Sequence, residues 1–166
     1  MKAEDLKEIQ APLKAKYRET PDAAVITLKA DGKLGEGITC SVQTGKALTA
    51  AGLHPATGGN GMSACSGDML LEALVACAGV TLGAVATAIG VEVRKGSVHA
   101  EGDLDFRGTL GVAKDAAVGF KTIRLRFDLD TNATDEQLAT LQKLTERYCV
   151  VAQSLRQPPE FSISRS

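Results

Sequence analysis

The chain has 166 residues, a length typical of one domain, so we expect residues 1–166 to form a single domain. Its 19 basic and 20 acidic residues nearly balance and form no basic patch, which argues against nucleic acid as the main partner. The N-terminus is charged and helical in pattern and lacks an apolar run, so no signal peptide is expected and the predicted location is cytoplasmic.

The segment before residue 68 is predicted to form a short helix, an antiparallel strand meander and a loop. Residues 2–10 have a helical pattern, which Pro12 is expected to end. Turn-forming residues lie at 20–22 and at 31–32. The predicted strands are Leu13–Arg18, Ala24–Ala30 and Gly37–Gln43. Residues 51–67 are rich in Gly, Asn, Pro and Ser and are predicted to form a long loop, a kind of segment that is often functional.

The most apolar stretch of the chain follows this loop. Residues from Met69 to Ile89 are almost all apolar or small, which predicts a fully buried helix with Ser66 as its N-cap and Asp68 in its first turn. The 19 uncharged residues from 73 to 91 also match a membrane span. Their Ala, Gly and Val content and the lack of flanking basic or aromatic belts favour a core helix instead. Its small residues would let a sheet or another helix approach, including the same helix of a second subunit.

The rest of the chain alternates between clear strands and a capped helix. Apolar residues at every second position predict strands over 98–106 and 122–129. Thr134 and Gln137 form a capping box that opens one helix or two successive helices. An edge strand is predicted at Phe161–Ser164, after two prolines. Strands, a buried helix, further strands and a final helix indicate the α+β class.

Cysteine is the main candidate for chemistry. The four cysteines, at positions 40, 65, 77 and 149, are too widely spaced for a zinc ribbon, and in a reducing compartment they are either inert core residues or reactive thiols. Cys77 in an apolar helix would ionise only beside a positive or hydrogen-bonding group, and Arg18 and His54 are the available candidates.

Cys149 lies in the last helical pattern of the chain. If its helix packs on the central helix, Cys77 and Cys149 could form a disulfide, and one thiol could be oxidised by a peroxide and resolved by the other. On spacing alone, two structural cysteines are the commoner outcome, so both interpretations stay open at this point.

Two motifs resemble a known family. The run DMLLEALVAC, ending at Cys77, resembles the signature ELLLAALAAC of the OsmC/Ohr family of thiol-dependent hydroperoxidases. The run ERYCVVAQSL, containing Cys149, resembles the C-terminal motif KYCPVSNAL of that family, with Val150 in place of its proline. The motifs occur in the family's order, and the similarity covers residues from about 14 to the end of the chain.

The resemblance implies an OsmC-like fold, with antiparallel sheets around a long buried central helix, and an intertwined homodimer with two active sites at its interface. Cys77 would be the peroxidatic thiol and Cys149 the resolving thiol. Asp68 corresponds to the family carboxylate, and Arg18 fits the catalytic arginine by its place near the end of the first predicted strand. Because nine residues of straight helix rise about 13.5 Å, Asp68 would serve Cys77 of the other subunit or need a bend.

We therefore carry two hypotheses. The first is a cysteine-based peroxidase that reduces organic hydroperoxides, is recycled by a dithiol or lipoyl-type reductant, and uses no metal or flavin. The alternative is a non-catalytic OsmC-like dimer that binds a small hydrophobic ligand at the subunit interface.

The remaining polar and cysteine residues are given simpler interpretations. His54 is a candidate for lining the site, and Glu72 is expected either to pair at the interface or to lie near the entrance. We expect His99 to be solvated and Cys40 to lie in the core. A metal site made of Cys65, Cys77 and His54 has no ligand spacing behind it, so no metal is expected.

Overall fold

The computed structural model describes residues 3–34, 40–42 and 51–165, and in these residues five strands form one sheet in the order β2-β1-β3-β4-β5. The strands are β1 (Val25–Leu34), β2 (Cys40–Val42), β3 (Val93–Asp105), β4 (Phe120–Thr131) and β5 (Glu160–Arg165). The helices are α1 (Ala3–Glu19), α2 (Ser66–Ile89), α3 (Phe106–Thr109), α4 (Asp135–Tyr148) and α5 (Val150–Ser154), with 3-10 turns at Pro21–Ala24 and Pro55–Thr57. The predicted α+β class is confirmed.

The first helix is longer than its sequence predicts. α1 continues through Pro12 to Glu19, so the expected stop at Pro12 and the expected strand at Leu13–Arg18 are both wrong. The reason is tertiary. Tyr17 is only 3% exposed, and its hydroxyl donates to the Ala56 carbonyl at 2.8 Å, which stabilises the helix beyond the proline.

The second correction concerns Asp31-Gly32, which we expected to form a turn. β1 instead runs through both residues, and Gly32 pairs with Val42 of β2 in antiparallel register. Ladder pairing with β2 therefore overrides the local turn signal. β2 covers residues 40–42 of the predicted strand Gly37–Gln43, and the rest of that prediction and the side chain of Cys40 lie outside the described residues.

The central helix α2 begins at Ser66, and the Met69 amide donates to the Cys65 carbonyl, so Cys65 rather than Ser66 has the N-cap position. The prediction that this helix is fully buried is wrong for the single chain, because only part of its surface is covered. One face is buried, at 71, 74, 75, 78, 79, 82, 85 and 86, whereas Val80 is 40% exposed on another face. Among the described residues, this one helix is long and apolar enough to cross a membrane, a criterion that core helices also meet.

The strands after α2 match the predicted alternation well. In β4 the side chains of Ile123, Leu125, Phe127 and Leu129 are all buried, as period two requires. In β3 the expected polar face ends early, because Asp105 is only 2% exposed. Arg107 neutralises it through its Nε at 3.0 Å and its Nη2 at 2.6 Å, which makes burial of this carboxylate tolerable.

The C-terminal helices follow the capping box and then break. Thr134 accepts from the Gln137 amide, and the Gln137 side chain accepts from the Thr134 amide, which confirms the predicted box. Two helices follow, with Cys149 ending α4 and preceding α5. β5 confirms the predicted edge strand but pairs parallel to β4, because the chain crosses over through both helices before it returns.

The chain divides into two compact units. Unit 1 comprises Met1–Leu28, Gly45–Met69 and Gly102–Thr122, and its buried residues include Tyr17, Ala24 and Phe106. Unit 2 comprises Lys29–Thr44, Leu70–Glu101 and Ile123–Ser166, and it contains most of α2 with α4 and α5. The single domain expected for residues 1–166 stays a prediction.

The continuous α1 leads to a stability test at Pro12. A proline inside a helix removes one backbone hydrogen bond, so Pro12→Ala is expected to raise the free energy of unfolding by about 1–3 kcal/mol in urea denaturation. Pro21 is the matched control, because it opens a 3-10 turn where the missing amide costs little. Equal effects of Pro12→Ala and Pro21→Ala would contradict a helix that passes through Pro12.

Candidate active site

Cys77 lies in the middle of α2 and is half-buried. Its neighbours at 74, 75 and 78 are fully buried, whereas Cys77 itself keeps partial exposure at the edge of that face. The helix therefore holds this sulfur in apolar surroundings without sealing it from solvent.

Cys149 lies at the break between α4 and α5 and is 0% exposed. Its ψ angle of 104° is extended, so α4 ends there, yet its amide still donates to the Thr145 carbonyl at 2.9 Å. Its own carbonyl accepts from the Gln153 amide at 2.9 Å, and the Gln153 side chain donates to the Glu146 carbonyl at 2.9 Å. These bonds satisfy backbone groups that a helix break would otherwise leave without partners.

The Cys77 side chain lies close enough to Cys149 to raise the pKa of the Cys149 thiol, and both thiols are free. The contact lies within unit 2, between α2 and the junction of α4 and α5. Two cysteines that are 72 positions apart in sequence thus meet in space.

Electrostatics keep Cys149 protonated. The pKa of the Cys149 thiol is raised to about 11, chiefly by burial and in addition by the hydrogen bonding and charge interaction with Cys77. The backbone amides of Ala152 and Val151, at the start of α5, act in the opposite direction. Because the thiolate is the nucleophile, Cys149 in this state is a poor first attacker at neutral pH.

Asp68 and His54 come together in unit 1. His54 caps the 3-10 turn, where its Nδ1 accepts from the Ala56 amide at 3.0 Å, and its ring stacks on Phe106 at 5.0 Å between centroids. Burial raises the pKa of the Asp68 carboxyl, and the electrostatic effect of His54 partly lowers it. The Gly-rich loop is therefore fixed by His54 close to the first turn of α2.

Arg18 and Glu72 are the two remaining predicted site residues. Arg18 is exposed in the last turn of α1, so the strand end on which its role rested does not exist. Glu72 is half-buried in the second turn of α2. Two further features of the structure have no signal in the sequence pattern. They are the Asp105–Arg107 pair described above and the buried hydroxyl of Thr145, one helical turn before Cys149.

The polar face of the sheet in unit 2 forms a groove of about 640 Å³ that His99 lines together with Lys29, Asp31, Glu101, Arg124, Arg126 and Phe161. His99 lies on the polar strand face as predicted and is partly exposed, but it is also paired with neighbouring side chains. Its Nδ1 lies 2.5 Å from Asp31 of the neighbouring strand β1, and its Nε2 lies 2.9 Å from Ser97 of its own strand and 3.5 Å from Asp128 of the neighbouring strand β4. Lys29 pairs with Glu101 at 2.7 Å, so the cations of this groove are matched by carboxylates.

No group of three His, Cys, Asp or Glu residues that could hold a metal ion occurs in the described part of the chain. The absence of a metal from the chemistry therefore stays an expectation.

Comparison with known proteins gives the family. The sequence model described as OsmC-like protein matches residues 58–164, which is more than half of the chain. This chain therefore belongs to the OsmC-like protein family. Among curated proteins, none matches it by sequence.

Two solved structures share its fold. An OsmC-like protein from Mycoplasma pneumoniae is similar with a TM-score of 0.58 and 14% identity, covering 85% of this chain and 94% of that chain. An OsmC-like hydroperoxide resistance protein from Jannaschia sp. ccs1 is similar with a TM-score of 0.58 and 17% identity, covering 81% of this chain and 88% of that chain. At these identities the likeness shows the fold, and the predicted OsmC-like fold is confirmed, with one mixed sheet among the described residues in place of the predicted antiparallel sheets. The intertwined dimer stays a prediction.

The raised pKa of Asp68 leads to a pH test. A carboxyl whose folded pKa is raised contributes stability at low pH, which is lost as pH rises through its folded pKa. The stability of the wild type relative to Asp68→Asn is therefore expected to fall as the pH is raised from the acidic range to neutrality. Urea denaturation of both proteins across that range measures the difference, and a difference that grows with pH would contradict the assignment.

Proposed function

We propose that this protein is a thiol-dependent peroxidase that reduces organic hydroperoxides through Cys77 and Cys149. The observation that carries the proposal is the contact between these two thiols, each in a motif that resembles the family's. Membership of the OsmC-like family supports it, as does the fold shared with a hydroperoxide resistance protein.

The chemistry needs only the two sulfurs and an external reductant. The Cys77 thiolate attacks the terminal peroxide oxygen, the O–O bond breaks, and the alkoxide takes a proton to leave as an alcohol. Cys77 is then a sulfenic acid. Cys149 loses its proton and attacks the Cys77 sulfur, the S–O bond breaks, and the hydroxide takes up a proton to leave as water. A dithiol or lipoyl-type reductant then reduces the disulfide by exchange.

Burial supports this order of attack. Cys77 keeps partial exposure, so a peroxide can approach it. Cys149 is fully buried and protonated, so a diffusing peroxide cannot reach its sulfur. A thiol with that environment suits resolution, because its target is the neighbouring sulfenic acid rather than a diffusing molecule.

We further propose a cytoplasmic homodimer formed through α2. Val80, Leu70 and Met69 are exposed on an otherwise apolar helix, and large apolar faces of this kind support subunit contact.

Asp68 precedes Cys77 by nine residues, which is about 13.5 Å of rise and two and a half turns on a straight helix, so Asp68 would act on Cys77 of the second subunit. His54 would position Asp68. The roles of Arg18 and Glu72 stay predictions.

The same exposed face of α2 favours a second candidate, a dimer whose interface holds a small hydrophobic ligand without turnover. The two candidates differ in whether peroxide consumption depends on Cys77.

Peroxidase activity is tested with cumene hydroperoxide and hydrogen peroxide in the presence of a dithiol. We expect faster consumption of the organic peroxide by the wild type, loss of at least 100-fold in Cys77→Ser (on the order of what removal of a covalent nucleophile costs), and mixed disulfides with other molecules in Cys149→Ser. Cys65→Ser is the matched control, because Cys65 is also free and half-buried but lies outside the pair. Peroxide consumption that is equal in the wild type and in Cys77→Ser would favour the ligand-binding candidate, because it would not depend on Cys77.

A further inference from the structure

Asp31, His99 and Ser97 are joined in that order on the polar face of the sheet in unit 2. The Oδ1 of Asp31, on β1, lies 2.5 Å from the Nδ1 of His99, and the Nε2 of His99 lies 2.9 Å from the Oγ of Ser97. Ser97 and His99 are two positions apart on β3, so their side chains point to the same face of the sheet. A carboxylate on one ring nitrogen and a hydroxyl on the other is the arrangement by which serine hydrolases activate their nucleophile.

The partners of the two ring nitrogens decide where the hydrogen of a neutral His99 ring lies. An ionised carboxylate only accepts hydrogen bonds, so the Nδ1 carries the hydrogen at its contact with Asp31. The Nε2 is then an acceptor, and the Ser97 hydroxyl donates to it. Asp128 lies 3.5 Å from the same Nε2, which is beyond ordinary hydrogen-bond distance, so Ser97 is the nearer partner.

The His99 ring is accessible, and a cation is held near it. His99 and Asp31 line the groove of about 640 Å³, a volume in the range of small-molecule sites, and Ser97 is half-buried. Arg126 lines the same groove, and its Nε donates to the Oδ2 of Asp128 at 3.0 Å. That same oxygen lies 3.5 Å from the His99 Nε2. The Arg126 guanidinium is therefore held within two contacts of the nitrogen that faces Ser97.

The lining of the groove indicates a substrate class. Most of the described lining residues are charged, and Phe161 is the only large apolar side chain among them. A long alkyl chain would gain little by leaving water for such surroundings and would desolvate the charges, whereas a short acyl group leaves them hydrated. An aromatic alcohol portion can pack on the Phe161 ring.

We propose that Ser97, His99 and Asp31 form a second catalytic site, which hydrolyses esters of short carboxylic acids independently of the cysteines. The Ser97 oxygen attacks the carbonyl carbon, and the serine proton passes to the Nε2 of His99. The bond to the alcohol breaks, and His99 returns the proton to the departing alkoxide. Water then gives a proton to His99, attacks the acyl group on Ser97, and releases the carboxylic acid as the proton returns to the serine oxygen. Asp31 is a positioning residue, and Arg126 supplies positive charge for the oxyanion.

The first test measures hydrolysis of p-nitrophenyl acetate after accessible thiols are alkylated with iodoacetamide, so that cysteine does not contribute. We expect Ser97→Ala to lower kcat/KM at least about 100-fold, because the nucleophile is lost. Asp31→Asn should lower kcat at least about 100-fold with KM within about twofold, because an amide can donate to Nδ1 and reverse the tautomer. Ser154→Ala is the matched control and should keep the wild-type rate, since this exposed serine donates to the Val150 carbonyl in α5. Equal rates for Ser97→Ala and wild type would overturn the proposal.

The second test labels the nucleophile in the unaltered protein, so it does not depend on any variant folding. A fluorophosphonate forms an O–P bond with an activated serine and releases fluoride, while the serine proton passes to the base. Mass spectrometry should find the adduct on the peptide that contains Ser97, and labelling should be at least about tenfold slower in His99→Gln. An adduct only on other residues, or none at all, would overturn the proposal. Cys77→Ser should be labelled at the wild-type rate, so this test and the peroxidase test fail separately.

Discussion

The contact between Cys77 and Cys149 depends on where α4 stops. Had α4 continued as one helix into α5, Cys149 would have been an ordinary helical residue, but its extended ψ turns the chain and leaves its side chain fully buried against α2. The backbone groups freed by the break find partners through Thr145 and Gln153. The junction therefore keeps several backbone hydrogen bonds, whereas the side-chain hydroxyl of Thr145 is buried there without a partner among the described residues.

The two units carry different parts of the proposed chemistry. Unit 2 holds the sulfur pair, and the rigid face of α2 fixes Cys77 at the edge of the core. Unit 1 holds the carboxylate of Asp68 beside His54, together with the bidentate Asp105–Arg107 pair. Arg107 is held by the Asp105 carboxylate, whereas Arg18 is exposed on α1. Helix geometry separates Asp68 from Cys77 of its own chain, so Asp68 would reach only the Cys77 of a second subunit.

Sequence patterns predicted those elements whose local and tertiary preferences agree. Local and tertiary preferences agree in β4, at the Thr134 capping box and at the start of α2. The first two predictions are confirmed, and the predicted start of α2 is shifted by one residue. Pro12 misled because burial of Tyr17 holds α1 together beyond it, and no local pattern encodes that contact. The burial of Asp105 and the pairing of His99 with Asp31 depend on neighbouring strands or on a turn, so alternation alone placed both on a solvated face. The sulfur contact followed from the motifs, whereas the orphan hydroxyl of Thr145 required coordinates.

The most direct test of the account is peptide mapping by mass spectrometry after the reduced protein reacts with one equivalent of an organic hydroperoxide. The account predicts a disulfide that joins the peptide containing Cys77 to the peptide containing Cys149 within one chain, and its disappearance on addition of a dithiol. Oxidation of Cys77 to sulfinic or sulfonic acid with Cys149 still a free thiol would contradict it, because two sulfurs in contact should form a disulfide before further oxidation occurs.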